Sequence, residues 1–359
     1  MPTFDILRRS NITSSFRVEQ VRGMFDMSGD HVEQRWTGEL PIEEKEWQIG
    51  LIVGASGSGK TTLAKELFAD FAHHSRFEWQ NDRAVVDCFD GSHATKDIVK
   101  MFNAVGFSSP PHWLKPFGHL SNGQQFRVEL ARCLLMNTGG LVFDEFTSIV
   151  DRDVAKICCA AITKSIRREK APPFVAVSCH YDIIDWLDPD WLFDVSTMRF
   201  EWRLRRRRPE IKLDIFKVHH SEWRIFGQHH YLNTELHKAA QCFEARWNGK
   251  PVAFCSVLHF PHPHAKNIKQ EHRTVVLPDF QGVGIGNRLS EYVAQYFTEK
   301  GFRFISTTSN PAMINHRQKS PKWITTRFGK NPAGSEGKAT GMKKARSCKR
   351  NTASFEFAP

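Results

Sequence analysis

The first 200 residues alternate between short apolar runs and segments with the spacing of helices. The apolar runs typical of buried strands are QIGLIV (48–53), RAVVDCF (83–89), GGLVFDEF (139–146) and PFVAVSCH (173–180). Stretches with helical periodicity, such as TTLAKELFADFAHH and GQQFRVELARCLLM, lie between them. Because strands that alternate with helices form parallel sheets, this half is predicted to be an α/β domain.

The pattern changes near residue 205, where four arginines precede Pro209 and indicate a boundary. Beyond it, the pattern predicts a hairpin that turns at Asn248-Gly249 and a helix that ends at Gly301. Three further runs predict strands: EIKLDIFKV (210–218), RTVVLP (273–278) and FRFISTT (302–308).

The last residues are rich in Gly, Ser and Lys, a composition typical of disorder. We therefore expect an α/β domain over residues 1–204, an α+β domain over residues 205–330, and a basic disordered tail over residues 331–359.

A phosphate-binding loop of the form GxxxxGK[ST] follows the first strand and precedes a helix. The loop and the next helical residue are Gly54, Ala55, Ser56, Gly57, Ser58, Gly59, Lys60, Thr61 and Thr62. Glycines let backbone N–H groups surround phosphates, and the helix N-terminus adds positive potential. We expect Lys60 to reach the β- and γ-phosphates of ATP and Thr61 to coordinate Mg²⁺.

An acidic pair, Asp144 and Glu145, follows the apolar strand Leu141-Val142-Phe143. Beside a phosphate loop, Asp144 is expected to hold Mg²⁺ through water and Glu145 to polarise the attacking water. The alternative is a turn or a helix cap, the more common role of an acidic pair at the end of a strand.

The segment Leu120-Ser121-Asn122-Gly123-Gln124 resembles LSGGQ, the signature of the ABC-type ATPases, and the resemblance extends over roughly residues 15–200. It implies that the signature contacts the γ-phosphate of ATP bound to a partner subunit. It also implies a D-loop, a switch histidine and an aromatic residue that stacks on adenine. The residues that match these roles are Ser121, Gly123, Gln124, Asp151, His180 and Phe25.

Two features depart from that family. No glutamine follows RAVVDCF, where its Q-loop would place one, so Asp87 and Asp90 are the candidates to replace it. The span from Gly54 to Leu120 is also short for a transporter ATPase, which favours a soluble ABC ATPase. Because one chain holds one phosphate loop and one signature, we expect a head-to-tail homodimer with two ATP molecules at its interface.

A second glycine-rich turn lies between the strand RTVVLP and the helix NRLSEYVAQYF. A dinucleotide site is disfavoured because the spacing is GxGxG and FRFISTT carries no acidic residue. The turn instead resembles the [QR]xxGx[GA] loop of the GNAT acyltransferases, a resemblance over roughly residues 209–330. It implies that acyl-coenzyme A binds to the loop and to the strand before it. These residues are Gln281, Gly282, Val283, Gly284, Ile285, Gly286 and Asn287, with Val275, Val276 and Leu277 along the pantetheine arm. A glycine-rich turn without a ligand is the alternative.

The acyl acceptor and the catalytic base are less defined. The segments 229–233, 308–311 and 320–323 also resemble phage Mom-type DNA-modification proteins of the GNAT fold, which implies a base in DNA as the acceptor. The same segments could equally be structural turns and core aromatics. By residue type alone, the candidates for the base are His229, His230, Tyr231 and Glu244.

The charge of the chain is divided unevenly. Residues 201–359 contain 28 Lys and Arg against 12 Asp and Glu, a net charge of +16, whereas residues 1–200 carry −5. A basic half favours a polyanionic partner, with nucleic acid first, although a solvated basic surface and tail would give the same balance. The eight cysteines include no CxxC pair, and no run of ~18 apolar residues or secretory leader is seen, so we expect a cytoplasmic protein with reduced thiols.

These observations favour an ATPase coupled to an acyl-CoA-dependent N-acyltransferase that acts on nucleic acid or on a target associated with it. One alternative is an ATP-dependent DNA clamp whose second half transfers nothing. The other is acetylation of a small molecule or a protein.

Overall fold

The computed structural model describes residues 3–25, 31–74, 77–137, 139–169, 171–204, 210–230, 235–265, 267–330 and 351–359. The predicted boundary at 205–209, residues Tyr231 to Asn233, and most of the predicted tail lie outside these ranges. No helix within them is long and apolar enough to cross a membrane.

The strands are, in chain order, β1 (Thr3–Asn11), β2 (His31–Glu39), β3 (Ile49–Val53), β4 (Ala72–His73), β5 (Leu141–Phe143), β6 (Phe174–Ser178), β7 (Trp191–Asp194), β8 (Arg199–Trp202), β9 (Asp214–Val218), β10 (Gln241–Trp247), β11 (Lys250–His259), β12 (Ile268–Val276), β13 (Arg303–Thr308), β14 (Trp323–Lys330) and β15 (Asn351–Phe357). The α-helices are α1 (Phe16–Phe25), α2 (Lys60–Leu67), α3 (Thr95–Ala104), α4 (Pro110–Trp113), α5 (Asn122–Met136), α6 (Arg152–Glu169), α7 (Ile183–Leu187), α8 (Trp223–Phe226), α9 (Ile285–Thr298) and α10 (Pro311–Lys319).

The chain packs as two compact units that are discontinuous in sequence. The first unit comprises residues 1–76, 136–149 and 162–208, and the second comprises residues 77–135, 150–161 and 209–359. This packing differs from the linear division that the sequence suggested. The segment with the signature, residues 77–135, belongs to the same unit as the C-terminal sheet.

The first unit is built on a six-stranded sheet in the order β4-β5-β6-β3-β7-β8, which is parallel except for β8. Every residue of β3 and β6 is buried. Strands that are buried on both faces consist of continuous apolar residues, and for this reason the sequence predicted both strands. β1 and β2 form a separate antiparallel pair.

The second unit contains a seven-stranded sheet in the order β14-β15-β13-β12-β11-β10-β9, in which β12 and β13 are parallel and the other pairs antiparallel. α9 packs on one face with Leu289 and Val293, and α8 packs on the other with Trp223 and Phe226. The β10–β11 hairpin turns at Asn248-Gly249 as predicted, where both residues have positive φ.

Two predicted elements of the first half are different in the structure. Residues 83–89 hold a 3-10 turn at Val85–Cys88 instead of a strand, and local bonds such as that from Asp87 N to Ala84 O replace sheet pairing. The helix predicted through residue 74 ends at Leu67. The chain then turns, and Ala72–His73 form β4 beside β5.

The disordered tail predicted over residues 331–359 is corrected at its end. Asn351–Phe357 form β15, which lies between β13 and β14 in the sheet. Ala353, Phe355 and Phe357 are buried in the core against α9. Apolar and polar residues alternate in TASFEF, a pattern typical of a strand. The sequence prediction missed it because the composition of the preceding basic residues indicated disorder for the whole tail.

We expect Phe355→Ala to destabilise the protein by about 3–5 kcal/mol, because it leaves a cavity in the core. Phe328 on the neighbouring β14 is 60% exposed, so Phe328→Ala should change the free energy of unfolding by less than about 0.5 kcal/mol. Chemical denaturation of both variants measures the difference. Equal effects would show that the C-terminal strand does not pack as described.

Candidate functional site

The predicted phosphate loop connects β3 to α2. Gly57 has φ 78° with nothing within 4 Å of a Cβ position, and Gly59, the residue before α2, has φ 94°. Ala55, Ser56 and Gly57 are exposed at the tip of the loop. Left-handed glycines before a helix point backbone N–H groups outward, so the loop can receive an anion.

The Lys60 side chain folds back over this loop. Its Nζ donates to the carbonyl oxygen of Ala55 at 2.7 Å. Thr61 and Thr62 occupy the first turn of α2, and Thr61 is exposed. An ammonium group held over the loop and a hydroxyl group beside it are the donors that a phosphate and its magnesium ion require.

Trp36 packs against the phosphate loop and supports it, a role that sequence analysis missed. Its Nε1 donates to the carbonyl oxygen of Ser58 at 3.0 Å, and the side chain is 7% exposed. A Cβ on Gly59 would lie 2.2 Å from the Trp36 ring. The ring therefore requires glycine at position 59. Trp36 lies on β2, 23 residues before Gly59, and no sequence pattern links it to the loop.

The acidic pair and the predicted switch histidine lie at the same edge of the sheet as the phosphate loop. β5, β6 and β3 are parallel neighbours, and their carboxyl ends lead to Asp144, Cys179 and Gly54, respectively. The Ser178 hydroxyl donates to the carbonyl oxygen of Phe146 at 3.0 Å and accepts from His180 N at 3.2 Å. The loops that carry Glu145 and His180 are thus connected through one hydroxyl group.

The backbone at Glu145 is strained. Glu145 has φ 50° and Thr147 has φ 67°, a conformation that non-glycine residues rarely adopt. Asp144 is half-buried and accepts from Glu145 N at 2.8 Å, whereas Glu145 itself is exposed. The turn therefore presents the Glu145 carboxylate to solvent, where it can receive a water molecule.

A second support of the phosphate loop comes from β7, and sequence analysis missed it too. Asp194 accepts from Tyr181 Oη at 3.1 Å and from Ser196 N at 2.9 Å. The Ser196 hydroxyl in turn accepts from Ala55 N at 3.2 Å. Tyr181 follows His180, so this chain of bonds connects the switch segment with the phosphate loop.

The signature residues begin α5 in the second unit. Ser121 N donates to Gln124 Oε1 at 3.1 Å, and Gln124 N donates to Ser121 Oγ at 3.4 Å, a reciprocal cap of the helix. Ser121 is exposed, whereas Gly123 and Gln124 are buried. A Cβ on Gly123 would lie 3.2 Å from Oδ1 of Asp279. The signature thus adjoins a residue just before the predicted acyl-carrier loop.

The remaining predicted residues of the ATP site are exposed. Asp151 accepts from Asp153 N at 2.9 Å, and Phe25, at the end of α1, is 72% exposed. Asp87 and Asp90 are exposed too, and hydrogen bonds from Ser92 lower the pKa of Asp90. Their predicted roles toward nucleotide stay predictions. No cluster of three or more His, Cys, Asp or Glu side chains that could hold a metal ion occurs in the part of the chain that is described.

The predicted acyl-carrier loop connects β12 to α9 through a 3-10 turn at Pro278–Phe280. Gly284 precedes α9 with φ 97°, and nothing lies within 4 Å of its Cβ position. Gly282 is enclosed, since its Cβ would lie 2.7 Å from Gly106 Cα. The turn is therefore open toward solvent at Gly284, at the N-terminus of the helix, where a pyrophosphate group fits.

The other residues of this loop hold it in place. Gln281 Oε1 accepts from Ser108 N at 2.8 Å, and its Nε2 donates to the carbonyl oxygen of Val276 at 2.9 Å. Ile285 is buried, and Val283, Gly286 and Asn287 are half-buried. Apart from Ile285, these residues are only partly covered, so the loop is not fully enclosed in the core.

Strands β12 and β13 separate beside the loop. Their pairing covers Ile268–Gln270 and Arg303–Ile305, whereas β12 continues to Val276. The predicted pantetheine-binding residues follow this separation: Val275 is buried, and Val276 and Leu277 are half-buried.

A buried ion pair fills the core next to this separation. Arg317, 1% exposed, donates to Glu271 Oε2 and to Ser290 Oγ, each at 2.8 Å. Burial alone would raise the pKa of Glu271, but the guanidinium of Arg317 and hydrogen bonds from Ser306 and Thr274 lower it. Glu271 is therefore ionised, and its carboxylate is occupied by these partners, which makes it a poor proton acceptor.

The structure separates the candidates for the transferase base by environment. Burial and the charge of Lys115 lower the pKa of His229, whose Nδ1 is buried without a hydrogen-bond partner within the described ranges. The ring of His230 lies 5.8 Å from that of Trp223. Glu244 is fully buried, and its Oε1 accepts from Arg246 Nε at 2.6 Å. Tyr231 lies outside the described residues. A neutral, partly exposed His229 is the strongest of these candidates.

Comparisons with known proteins found similarity to an acetyltransferase family and to an ATP-binding protein. Residues 199–317 match the model of the Acetyltransferase (GNAT) family. A stretch of 185 residues is 26% identical to the "Methionine import ATP-binding protein MetN" of Clostridioides difficile (strain 630); the match covers 41% of this chain and 57% of that protein.

Two solved structures are similar to parts of the chain. One is the dimeric post-hydrolysis state of the ATP-binding cassette MJ0796 bound to ADP and Pi, with 16% identity, 55% of this chain and 98% of that chain covered, and a TM-score of 0.39. The other is the ribosomal-protein-S18-alanine N-acetyltransferase from Escherichia coli, with 16% identity, 40% and 92% covered, and a TM-score of 0.31.

The predicted fold class is confirmed: the chain is α/β, with an ABC ATPase-like N-terminal part and a GNAT fold in the C-terminal part. The two families indicated, ABC ATPases and acetyltransferases, are families of enzymes, as predicted. The likeness to Mom-type proteins is not supported by these matches.

We expect Trp36→Phe to weaken ATP binding about fivefold, because it removes one hydrogen bond that holds the Ser58 carbonyl while keeping an aromatic ring beneath Gly59. Trp202→Phe is the matched control, since Trp202 Nε1 donates to the exposed carboxylate of Glu44 at 3.3 Å. Calorimetric titration with ATP compares the two. An unchanged affinity in Trp36→Phe would contradict the supporting role.

Proposed function

We propose that this chain, which joins an ABC ATPase-like part to a GNAT acetyltransferase part, is an ATP-dependent N-acyltransferase that takes its acyl group from acyl-coenzyme A. The observation that carries the proposal is the presence of two open glycine turns, each at the N-terminus of a helix, at Gly57 and at Gly284. Each can bind the phosphates of a different nucleotide through its backbone.

The first turn serves ATP. Backbone N–H groups of residues 54–59 and the Lys60 ammonium bind the phosphates, and Thr61 and Asp144 supply oxygen ligands of the kind that Mg²⁺ prefers. Glu145 orients the attacking water, and His180 contacts the γ-phosphate. The hydroxyl of Ser178 holds the two loops together, so that both residues act at one edge of the sheet.

The second turn serves the acyl carrier. The loop from Gln281 to Asn287 binds the pyrophosphate of acetyl-CoA or another acyl-CoA, and Val275, Val276 and Leu277 line the pantetheine arm. His229 accepts the proton of the attacking amine, because burial keeps its imidazole neutral. Acyl transfer then breaks the thioester bond and forms an amide bond, and the proton held by His229 passes to the thiolate of coenzyme A, which leaves as the free thiol.

The working form is a homodimer in which the signature of each chain completes the ATP site of the other. Ser121, Gly123 and Gln124 of one chain contact ATP held at residues 54–62 of its partner, together with Asp151, and Phe25 stacks on the adenine. The support for this arrangement is one phosphate loop and one signature in each chain.

The acceptor is nucleic acid or a target associated with it. The net charge of +16 on residues 201–359 supports a polyanionic partner. An amine on a base is a nucleophile of the kind that acyl transfer requires, whereas an acceptor protein or small molecule would not need the basic charge.

We expect Glu145→Gln to bind ATP without hydrolysing it and therefore to accumulate as a dimer. Sedimentation velocity with ATP and, as the control, with ADP or with the Lys60→Ala/Glu145→Gln double variant measures the change. A species that stays monomeric with ATP at high protein concentration would argue against the shared site.

We expect Gly284→Ala to weaken acetyl-CoA binding at least tenfold, because a methyl group occupies the open side of the turn and strains its backbone. Gly301→Ala, at the other end of α9, is the matched control. Gly301 has φ 80° with nothing within 4 Å of its Cβ position, so its substitution imposes the same kind of strain, about 1–2 kcal/mol, away from the loop. Calorimetry with acetyl-CoA, combined with thermal unfolding, separates binding from stability. Failure of the wild-type chain to bind acetyl-CoA would refute the transferase.

A further inference from the structure

The guanidinium of Arg127 on α5 is completely buried and is bonded to the segment that leads into the acyl-carrier loop. Its Nη1 donates to the carbonyl oxygens of Gly106, at 3.1 Å, and of Pro278. Its Nη2 donates to the carbonyl oxygen of Asp279 at 2.6 Å. One side chain thus connects α5, the turn after α3 and the 3-10 turn before Gln281.

The turn after α3 also touches the loop directly. A Cβ on Gly106 would lie 2.6 Å from the carbonyl oxygen of Gln281, and Ser108 N donates to Gln281 Oε1. Gly106 and Gly282 approach so closely that neither position accommodates a side chain. The enclosed side of the acyl-carrier loop is therefore formed by the segment that also carries the ATPase signature.

The signature itself is part of this contact. Gly123 lies beside the carboxylate of Asp279, and Arg127 is one helical turn further along α5.

The start of α6 also contacts the seven-stranded sheet of the second unit. Lys250 Nζ lies 3.0 Å from Asp153 Oδ2, and Ile157 is buried in the core with α9.

We propose that α5 couples nucleotide at the signature to the geometry of the acyl-carrier loop, with Arg127 as the positioning residue. This role of Arg127 rests on the proposed function of both turns. The coupling adds to that function, because it makes the acyl-carrier site sensitive to ATP through contacts within a single unit of the chain.

The physical basis is the cost of separating these groups. A buried guanidinium cannot leave its carbonyl partners without losing charge-assisted hydrogen bonds in a medium of low dielectric constant. A shift of α5 therefore carries the Pro278–Phe280 turn with it. The γ-phosphate that the signature is expected to contact is an anion, as is Asp279, so its binding at Gly123 disfavours the present position of that carboxylate.

The test is a linkage measurement in the full chain with Glu145→Gln, which retains ATP. Acetyl-CoA is titrated calorimetrically with and without saturating ATP, and ATP with and without acetyl-CoA. We expect the dissociation constant of each ligand to change at least about fivefold, and by the same factor in both directions, as coupling between sites requires. Direct competition at one site is excluded when both ligands are bound together at saturation.

Two substitutions on the same helix locate the coupling. In the Glu145→Gln chain, Arg127→Met should reduce the fold-change in each dissociation constant to near one. Arg127→Lys should restore part of that fold-change. Arg132→Met is the matched control, because the Arg132 guanidinium lies over the rings of Phe77 and Trp79, at 4.2 and 4.9 Å from their centroids. It should leave the factor unchanged.

Each outcome decides a different point. If the Glu145→Gln chain binds acetyl-CoA and ATP with no effect of one on the other, the coupling is overturned while the proposed function stands. If the factor survives Arg127→Met, the positioning role of Arg127 is overturned. If acetyl-CoA does not bind at all, the transferase fails and the coupling fails with it. Thermal unfolding of each variant confirms that the chain is folded before its binding is compared.

Discussion

A turn that binds a phosphate through its backbone N–H groups has these groups directed to solvent. Its conformation must therefore be stabilised by side chains from elsewhere in the fold. In the first unit this support comes from Trp36, which bonds to Ser58 and packs against Gly59, and from Ser196, which accepts from Ala55. In the second unit it comes from Arg127 and Ser108. The glycines provide the conformation that an anion requires, and these larger side chains keep it fixed.

The two supports differ in kind, and the difference has a functional meaning. Trp36 is a neutral ring that packs against Gly59 and bonds to Ser58 of the loop, so it stabilises one geometry. Arg127 is a buried cation on the signature helix. Its Nη atoms donate to the backbone carbonyl groups of Gly106, Pro278 and Asp279, and its Nε donates to Cys158 Sγ at 3.2 Å. Through these bonds a shift of α5 moves the turn before the acyl-carrier loop. For this reason we propose that ATP regulates the second turn.

The sequence was sufficient to predict both turns and most strands, since each depends on local spacing. The motifs at the two turns resemble those of the two families that the comparisons indicate. The sequence could not place Trp36, Ser196 or the partners of Arg127, because those contacts join residues that are distant along the chain and carry no motif. It failed at Val85–Cys88, where an apolar run forms local hydrogen bonds instead of a strand. It also failed at Asn351–Phe357, where the basic composition of the preceding residues outweighed a short alternating pattern. The grouping of residues 77–135 with the C-terminal sheet could not be derived from a linear pattern at all.

The central claim is that the chain transfers an acyl group under the control of ATP. The most direct measurement is mass spectrometry of nucleosides released from DNA after incubation of the full chain with ATP and acetyl-CoA, with the released thiol of coenzyme A followed in parallel. We expect thiol release that depends on ATP and a nucleoside carrying one added acetyl group. Thiol release without modified nucleosides would indicate that the acceptor is a protein or a small molecule. The absence of ATP-dependent thiol release with any of these acceptors would show that ATP does not control acyl transfer in this chain.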